Sequence, residues 1–260
     1  MEQQPRDTSY QILNKVPAVT LTFWVIKIMT TTVGETIADY LIVDVGLGAV
    51  VTGLVMSVLF VIALYAQINT KRCIPWIYWL SVVLVSILGT QITDVMTDKL
   101  EVSLYLSTAV FSAVLIAIFI AWYKHEKTLS ITSINTRRRE FFYWAAILCT
   151  FALGTAAGDL ATEAIGLGFQ MGVIIFSGLI IFATLAYYAG ANSIMTFWFA
   201  YVLTRPLGAS IGDLLSQAKE YGGVGFGAMY TSAIFLSVIV VLVAMAQRTS
   251  AATKSATSLP

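Results

Sequence analysis

Eight stretches of this 260-residue chain are mostly apolar and about 20 residues or more long, at 17–43, 47–68, 75–97, 102–123, 141–163, 168–189, 194–217 and 224–247. A helix of about 20 apolar residues spans the hydrocarbon core of a bilayer. The pattern therefore predicts an all-α polytopic membrane protein with eight transmembrane helices. Composition agrees. Hydrophobic residues make up 58% of the chain and charged residues 11%, against about 25% charged in a soluble domain, and the mean hydropathy is +0.83. Such a chain lacks the polar surface of a soluble protein. A net charge of +1 argues against a nucleic-acid partner.

The basic residues orient the spans. Eleven fall at the termini or in loops after even-numbered spans, from Arg6 and Lys15 through Arg137, Arg138 and Arg139 to Arg248 and Lys254; only Lys99 and Lys219 fall on the other side. Basic residues stay cytoplasmic, so both termini are expected there. The links are short and the helices are expected to pair into hairpins. This gives a cytoplasmic tail over 1–16, one eight-helix membrane domain over 17–248, and a cytoplasmic tail over 249–260. Cys73 and Cys149 belong to no CxxC pair, so neither a disulfide framework nor a zinc site is expected.

Within the membrane domain a motif recurs four times. An aromatic-Trp pair opens each copy: Phe23-Trp24, Tyr78-Trp79, Tyr143-Trp144 and Phe197-Trp198. Ten residues after each Trp stands Gly34, Gly89, Gly154 or Gly208, and fifteen after it Asp39, Asp94, Asp159 or Asp213. The copies occupy about 17–70, 71–125, 138–190 and 191–248. Each comprises one motif helix and one plain apolar helix, so all four share one topology and can surround a common axis. These pairs, with strings such as Thr30-Thr31-Thr32-Val33-Gly34-Glu35 and Arg205-Pro206-Leu207-Gly208, resemble a family of bacterial integral membrane proteins built of four tandem two-span repeats of unknown function. The resemblance covers Val16 to about Arg248. It implies a bacterial inner-membrane location and supplies no activity.

The acids carry the functional signal. Glu35 precedes Asp39 by four residues, while Asp98 and Glu163 follow Asp94 and Asp159 by four. That spacing puts each pair on one helical face. Seven carboxylates, Glu35, Asp39, Asp94, Asp98, Asp159, Glu163 and Asp213, thus share one stripe along helices 1, 3, 5 and 7. A carboxylate at the bilayer centre costs about 2.5–3.5 kcal/mol and has to face a cavity or a partner. Seven together repel one another, which a bound cation relieves. The bland alternative is that some only rim a wet mouth or cap the next helix.

Lys27 and Arg205 lie within the same helices. Either they salt-bridge to the acids or they act as tethered cations that compete with a substrate or couple it to protons. Lys27 also raises a retinal Schiff base, which eight spans and a four-fold repeat fit badly. The glycines read as close-packing points or helix breaks, and the Trp residues as anchors at the membrane interface.

Carboxylates and hydroxyls, with only Met29 and Met96 nearby and no His, suit a hard cation of the Mn, Mg or Ca class. The expected function is a transporter of such a cation, coupled to protons because no nucleotide-binding motif is present. Its partners are the lipid bilayer, the cation and protons. No cofactor is implied beyond a possible bound divalent cation, and a homo-oligomer stays open. The alternatives are a pseudo-four-fold cation channel and a structural or signalling subunit. An intramembrane enzyme lacks support from HExxH or GxSxG motifs but is not excluded.

Overall fold

The computed structural model describes residues 14–257. The expected N-terminal tail up to residue 13, with Arg6, the final three residues and the Lys254 side chain lie outside the described residues. Eight long helices are present: α1 (Leu21–Asp39), α2 (Ala49–Asn69), α3 (Pro75–Asp94), α4 (Leu104–Glu126), α5 (Arg137–Asp159), α6 (Gly168–Tyr188), α7 (Ser193–Ser216) and α8 (Ala228–Thr257). α8 continues through 249–257, where the sequence reading placed a tail. Local chemistry sets the starts. Thr20, Ser103, Thr136 and Asn192 accept backbone N–H bonds at the N-termini of α1, α4, α5 and α7, and Pro75 opens α3.

Six of the eight are long and apolar enough to cross a membrane. α1 and α7 fall short because they carry Lys27, Glu35 and Asp39, and Arg205 and Asp213. Those charges are turned inward, because α1, α3, α5 and α7 close a ring: α1 packs on α3, α3 on α5, α5 on α7, and α7 back on α1. The spans of α3 and α5 are 67% and 72% buried, against 11–22% for α2, α4, α6 and α8. The even helices are therefore the outer, lipid-facing layer.

The expected hairpins do not form as compact units. Each even helix packs on the odd helix of the following repeat: α2 on α3, α4 on α5, α6 on α7, and α8 on α1. With its own odd helix, α2 makes contact chiefly at the short turn that ends α1. Covalent repeats and packing units are thus offset by one helix around the ring, and α8 closes the circle. Its Ser232 hydroxyl bonds to Thr36 on α1 at 2.7 Å.

The glycines mark where ring helices cross. All four lie in unbroken helix. A Cβ on Gly34 would overlap Ser86, on Gly89 Phe151, on Gly154 Arg205, and on Gly208 Thr31. In each case the neighbour is the residue seven after the Trp of the next motif helix, taken in the same sense around the ring. Only a residue without a side chain permits this approach. Thr31 Oγ1 donates to Thr204 O at 3.1 Å, and Thr93 Oγ1 to Ala152 O at 3.0 Å, tying adjacent helices there.

The aromatic-Trp pairs follow the same cyclic rule. Phe23 contacts Trp79, Tyr78 contacts Trp144, Tyr143 contacts Trp198 and Phe197 contacts Trp24, with ring centroids 5.3–6.3 Å apart. Trp79, Trp144 and Trp198 are buried. These rings are packed between helices rather than displayed as lipid anchors, a correction to the sequence reading. At this basic end a short segment before α1 adds a plug. Lys15 Nζ donates to Glu140 Oε2 at 2.5 Å and to Ile68 O at 2.9 Å, and its backbone N–H to Ile134 O at 3.0 Å.

Candidate functional site

At the opposite end of the ring the motif aspartates terminate regular helix. Asp39, Asp94 and Asp159 are each the last α-helical residue before a five-residue π-helical turn, at Tyr40–Asp44, Val95–Lys99 and Leu160–Ala164. The wider turns are closed by Val45 N→Tyr40 O, Leu100 N→Val95 O and Ile165 N→Leu160 O at 2.9–3.1 Å. α7 has no such turn and runs on past Asp213 to Ser216. Residues of all three π turns line a mouth at this end of the ring.

That mouth is a cavity of about 420 Å³ lined by all seven predicted carboxylates, Glu35, Asp39, Asp94, Asp98, Asp159, Glu163 and Asp213. Glu35 and Asp213 are buried on its floor. Asp39, Asp94 and Asp159 are half-buried in its wall, and Asp98 and Glu163 are exposed at its rim. Thr97, Gln217 and Lys99 complete the polar lining, with no imidazole or sulfur. Helical spacing of four, read from the sequence, is what gathers them.

The acids share a vestibule but do not form a chelate. Among the described residues, no three Asp, Glu, His or Cys side chains stand close enough together to hold a metal ion. This qualifies the expected metal site. Ring helices lie about 8–10 Å apart, so short Asp side chains at one level on four helices line a wide mouth without meeting at one point.

Arg205 caps the floor. Its Nη2 donates to Glu35 Oε2 at 2.5 Å and to the Thr90 hydroxyl, and Thr90 Oγ1 lies 3.4 Å from the same carboxylate oxygen. Three ring helices, α1, α3 and α7, meet in this cluster. The pair is buried, with side-chain exposures of 1% for Arg205 and 9% for Glu35. Arg205 Nε and Nη1 have no hydrogen-bond partner.

Lys27 is the other predicted intramembrane cation, and it does not join the acids. It is 1% exposed and its Nζ accepts and donates no hydrogen bond. The amine lies 3.9 Å from the centroid of the Phe151 ring and 4.3 Å from that of Tyr201, over the faces of both rings. Toward the basic end stand Tyr78 and Tyr143, whose hydroxyl oxygens are 2.5 Å apart.

Four segments, residues 22–72, 77–128, 142–191 and 196–252, match the family described as Repeat of Unknown Function (DUF347). The chain belongs to this family. No curated protein and no solved structure matches it. The boundaries of the DUF347 repeats follow the covalent unit of one odd and one even helix, whereas the packing unit joins an even helix to the next repeat's odd helix. The family assignment brings no chemistry, so the vestibule has to be interpreted from its own residues.

Sequence reasoning located the acids but missed the column beneath them. Tyr201 stands three residues after its motif Trp, where Lys27 stands in the first repeat; Tyr78 and Tyr143 immediately precede theirs. Aligned by Trp, Lys27 and Tyr201 stand about two turns, and Tyr78 and Tyr143 about three turns, below the level of Glu35. Tyrosine is common in apolar helices, and that concealed the signal.

Proposed function

We propose that the protein is a proton-coupled secondary transporter of a hard divalent cation of the manganese, magnesium or calcium class. In this reading it sits in a bacterial inner membrane with both termini cytoplasmic, and the acid vestibule is the external entry. One observation carries the proposal: seven carboxylates from all four ring helices line a single cavity that ends blindly on a buried Glu35–Arg205 pair. Gathering that many acids around one mouth, two of them buried and three half-buried, opposes folding unless something binds there. Oxygen-only donors select a hard ion.

The absence of a chelating triad among the described residues fits an ion that enters with its water shell. Magnesium-like ions dehydrate reluctantly and are often held through their waters. Arg205 acts as the resident cation of the floor and yields Glu35 to the substrate when the site loads. The blind floor favours a carrier over a pseudo-four-fold channel, which needs a continuous path. We assign no catalytic role to the site.

The test is uptake of radioactive manganese by liposomes containing the purified protein, with and without a pH gradient. Wild type should concentrate the ion only when the gradient is imposed. Asp94→Asn and Asp159→Asn should each abolish uptake while the protein remains folded. Unchanged uptake in both variants rejects the carboxylate site, and downhill flux indifferent to the gradient assigns a channel.

A further inference from the structure

At the basic end the outer helices do not cover the ring equally. Trp79 and Trp144 are 3% exposed and Trp198 is 5%, whereas Trp24 is half-buried. Trp198 shows how such a ring is covered. Phe119 and Trp122 of α4 stand 4.9 and 5.8 Å from it, centroid to centroid, and Leu129 O, in the ten-residue link before α5, accepts its indole N–H at 2.9 Å. Phe119 and Trp122 follow Trp79 by 40 and 43 residues. The same steps from Trp144 reach Thr184 and Tyr187 on α6, and the link before α7 has only four residues. Threonine is too short to replace the phenylalanine, and Tyr187 is 51% exposed. Trp24 therefore lines an open groove of about 620 Å³ between α1, α6 and α7.

We propose that this groove binds an anionic phospholipid from the leaflet on the basic side, with one acyl chain along Trp24 and the phosphate at a hydroxyl rim beside the basic loop. α6 belongs to the lipid-facing layer, and Leu21 at the groove's edge is 81% exposed, so the opening is toward the bilayer. Inward from the rim the wall is apolar, with Trp24, Ile28, Ile180, Ala183, Phe197 and Ala200. The α7 side of the groove runs from Ser193 to Thr204, about 17 Å of helix. One leaflet contributes about 15 Å of hydrocarbon, so the groove matches the depth of an acyl chain. A chain seated there is enclosed by three helices, unlike lipid that passes over the outer surface.

The rim supplies the chemistry for the headgroup. Thr20, Ser130, Thr132 and Ser193 bring hydroxyls to the basic end of the groove. Ser130 Oγ and Thr132 Oγ1 share one hydrogen bond of 2.8 Å, which leaves one hydroxyl hydrogen for a phosphate oxygen. The loop that carries them is flanked by exposed Lys124, Lys127 and Arg137. Glu126, the one acid among them, is paired with Arg139 at 2.8 Å and Arg138 at 3.8 Å. Basic clusters beside a gap between membrane helices attract anionic headgroups. Tyr187 and Tyr188, exposed at the end of α6, mark the headgroup level as interfacial tyrosines do. The inference does not depend on what the vestibule binds.

The experiment is native mass spectrometry of the full-length protein in detergent, titrated with phosphatidylglycerol or phosphatidylethanolamine, with thermal melts alongside. Wild type should retain one phosphatidylglycerol, bind it at least about tenfold more tightly than phosphatidylethanolamine, and melt higher with it bound. Thr184→Phe places on α6 the residue that covers Trp198 from α4. It should lose both the tight phosphatidylglycerol and the melting shift, while melting no lower than wild type without lipid. Lys124→Gln combined with Lys127→Gln should cut the preference for phosphatidylglycerol at least about fivefold. Phosphatidylglycerol brominated on its acyl chains should quench a fluorescence component that Trp24→Phe removes.

Equal retention of the two lipids by wild type overturns the site, because lipid on the outer surface would give that result. Unchanged retention in a folded Thr184→Phe overturns it too, as does quenching unaltered in Trp24→Phe. If Thr184→Phe melts lower than wild type without lipid, the brominated-lipid measurement and the lysine variant decide the question. Dimers in the mass spectrum that Thr184→Phe dissociates assign the groove to a second copy of the chain and overturn the lipid.

Discussion

Arg205→Met isolates the energetics of the vestibule floor. Methionine retains the Cβ and Cγ that Arg205 packs against Gly154, so ring geometry is preserved while the guanidinium is lost. Glu35 is then left beside the four motif aspartates with no cation paired to it. Removing one partner of a buried ion pair costs about 3–5 kcal/mol. Glu35 is reached from the cavity and is 9% exposed, which places the expected loss near the lower end. For a chain of this size about 3 kcal/mol corresponds to a melting-point drop of about 6–12 °C.

Two further measurements make the argument strict. Arg205→Met combined with Glu35→Gln removes both charges and should recover most of the loss, because an uncharged pair costs little where one orphaned charge costs much. Manganese at 100 times the Kd of Arg205→Met should stabilise that variant by about 2.7 kcal/mol and wild type by less at the same concentration, because in the variant the ion replaces the missing cation. The assay is thermal unfolding of purified protein in detergent, followed by tryptophan fluorescence, with and without manganese. A single variant melting within about 2 °C of wild type, or a double variant no better than the single, would refute the account of Glu35 and Arg205 as a mutually dependent buried pair.

Two other outcomes follow from the architecture. Gly34→Ala should destabilise by about 1–3 kcal/mol because its Cβ overlaps Ser86, whereas Gly178→Ala on outer helix α6 meets nothing within 4 Å and should gain about 0.5–1 kcal/mol of helix propensity; paired thermal melts read both. A reporter fused after Arg248 should lie on the same side as the loop at 70–74 and opposite one inserted near Lys99, read by alkaline phosphatase and fluorescent-protein activity.

Much of the site was legible in the sequence because carboxylates in an apolar helix have few tolerable directions. A spacing of four fixed Glu35 with Asp39, Asp94 with Asp98, and Asp159 with Glu163 on single faces. Four copies of the motif implied a common interior, and the cavity lined by all seven acids is that interior. Helix periodicity and the cost of a buried charge are local properties, so they can be read without neighbours.

What the sequence left open depends on which helix faces which. The even helices pack one repeat forward, each after a short link that follows a π turn in three of the repeats. Nothing in a repeat read by itself encodes that offset. The pairing of the two intramembrane cations was equally undetermined. Arg205 reaches Glu35 from the next helix of the ring, while Lys27, on Glu35's own helix but two turns away, ends against Phe151 and Tyr201. Contact between side chains on different helices is set by helix rotation and crossing, and in this ring those are fixed by glycine contacts with the residue seven after each neighbouring Trp. The sequence thus determined which residues turn inward, and only the packed ring decided which of them meet.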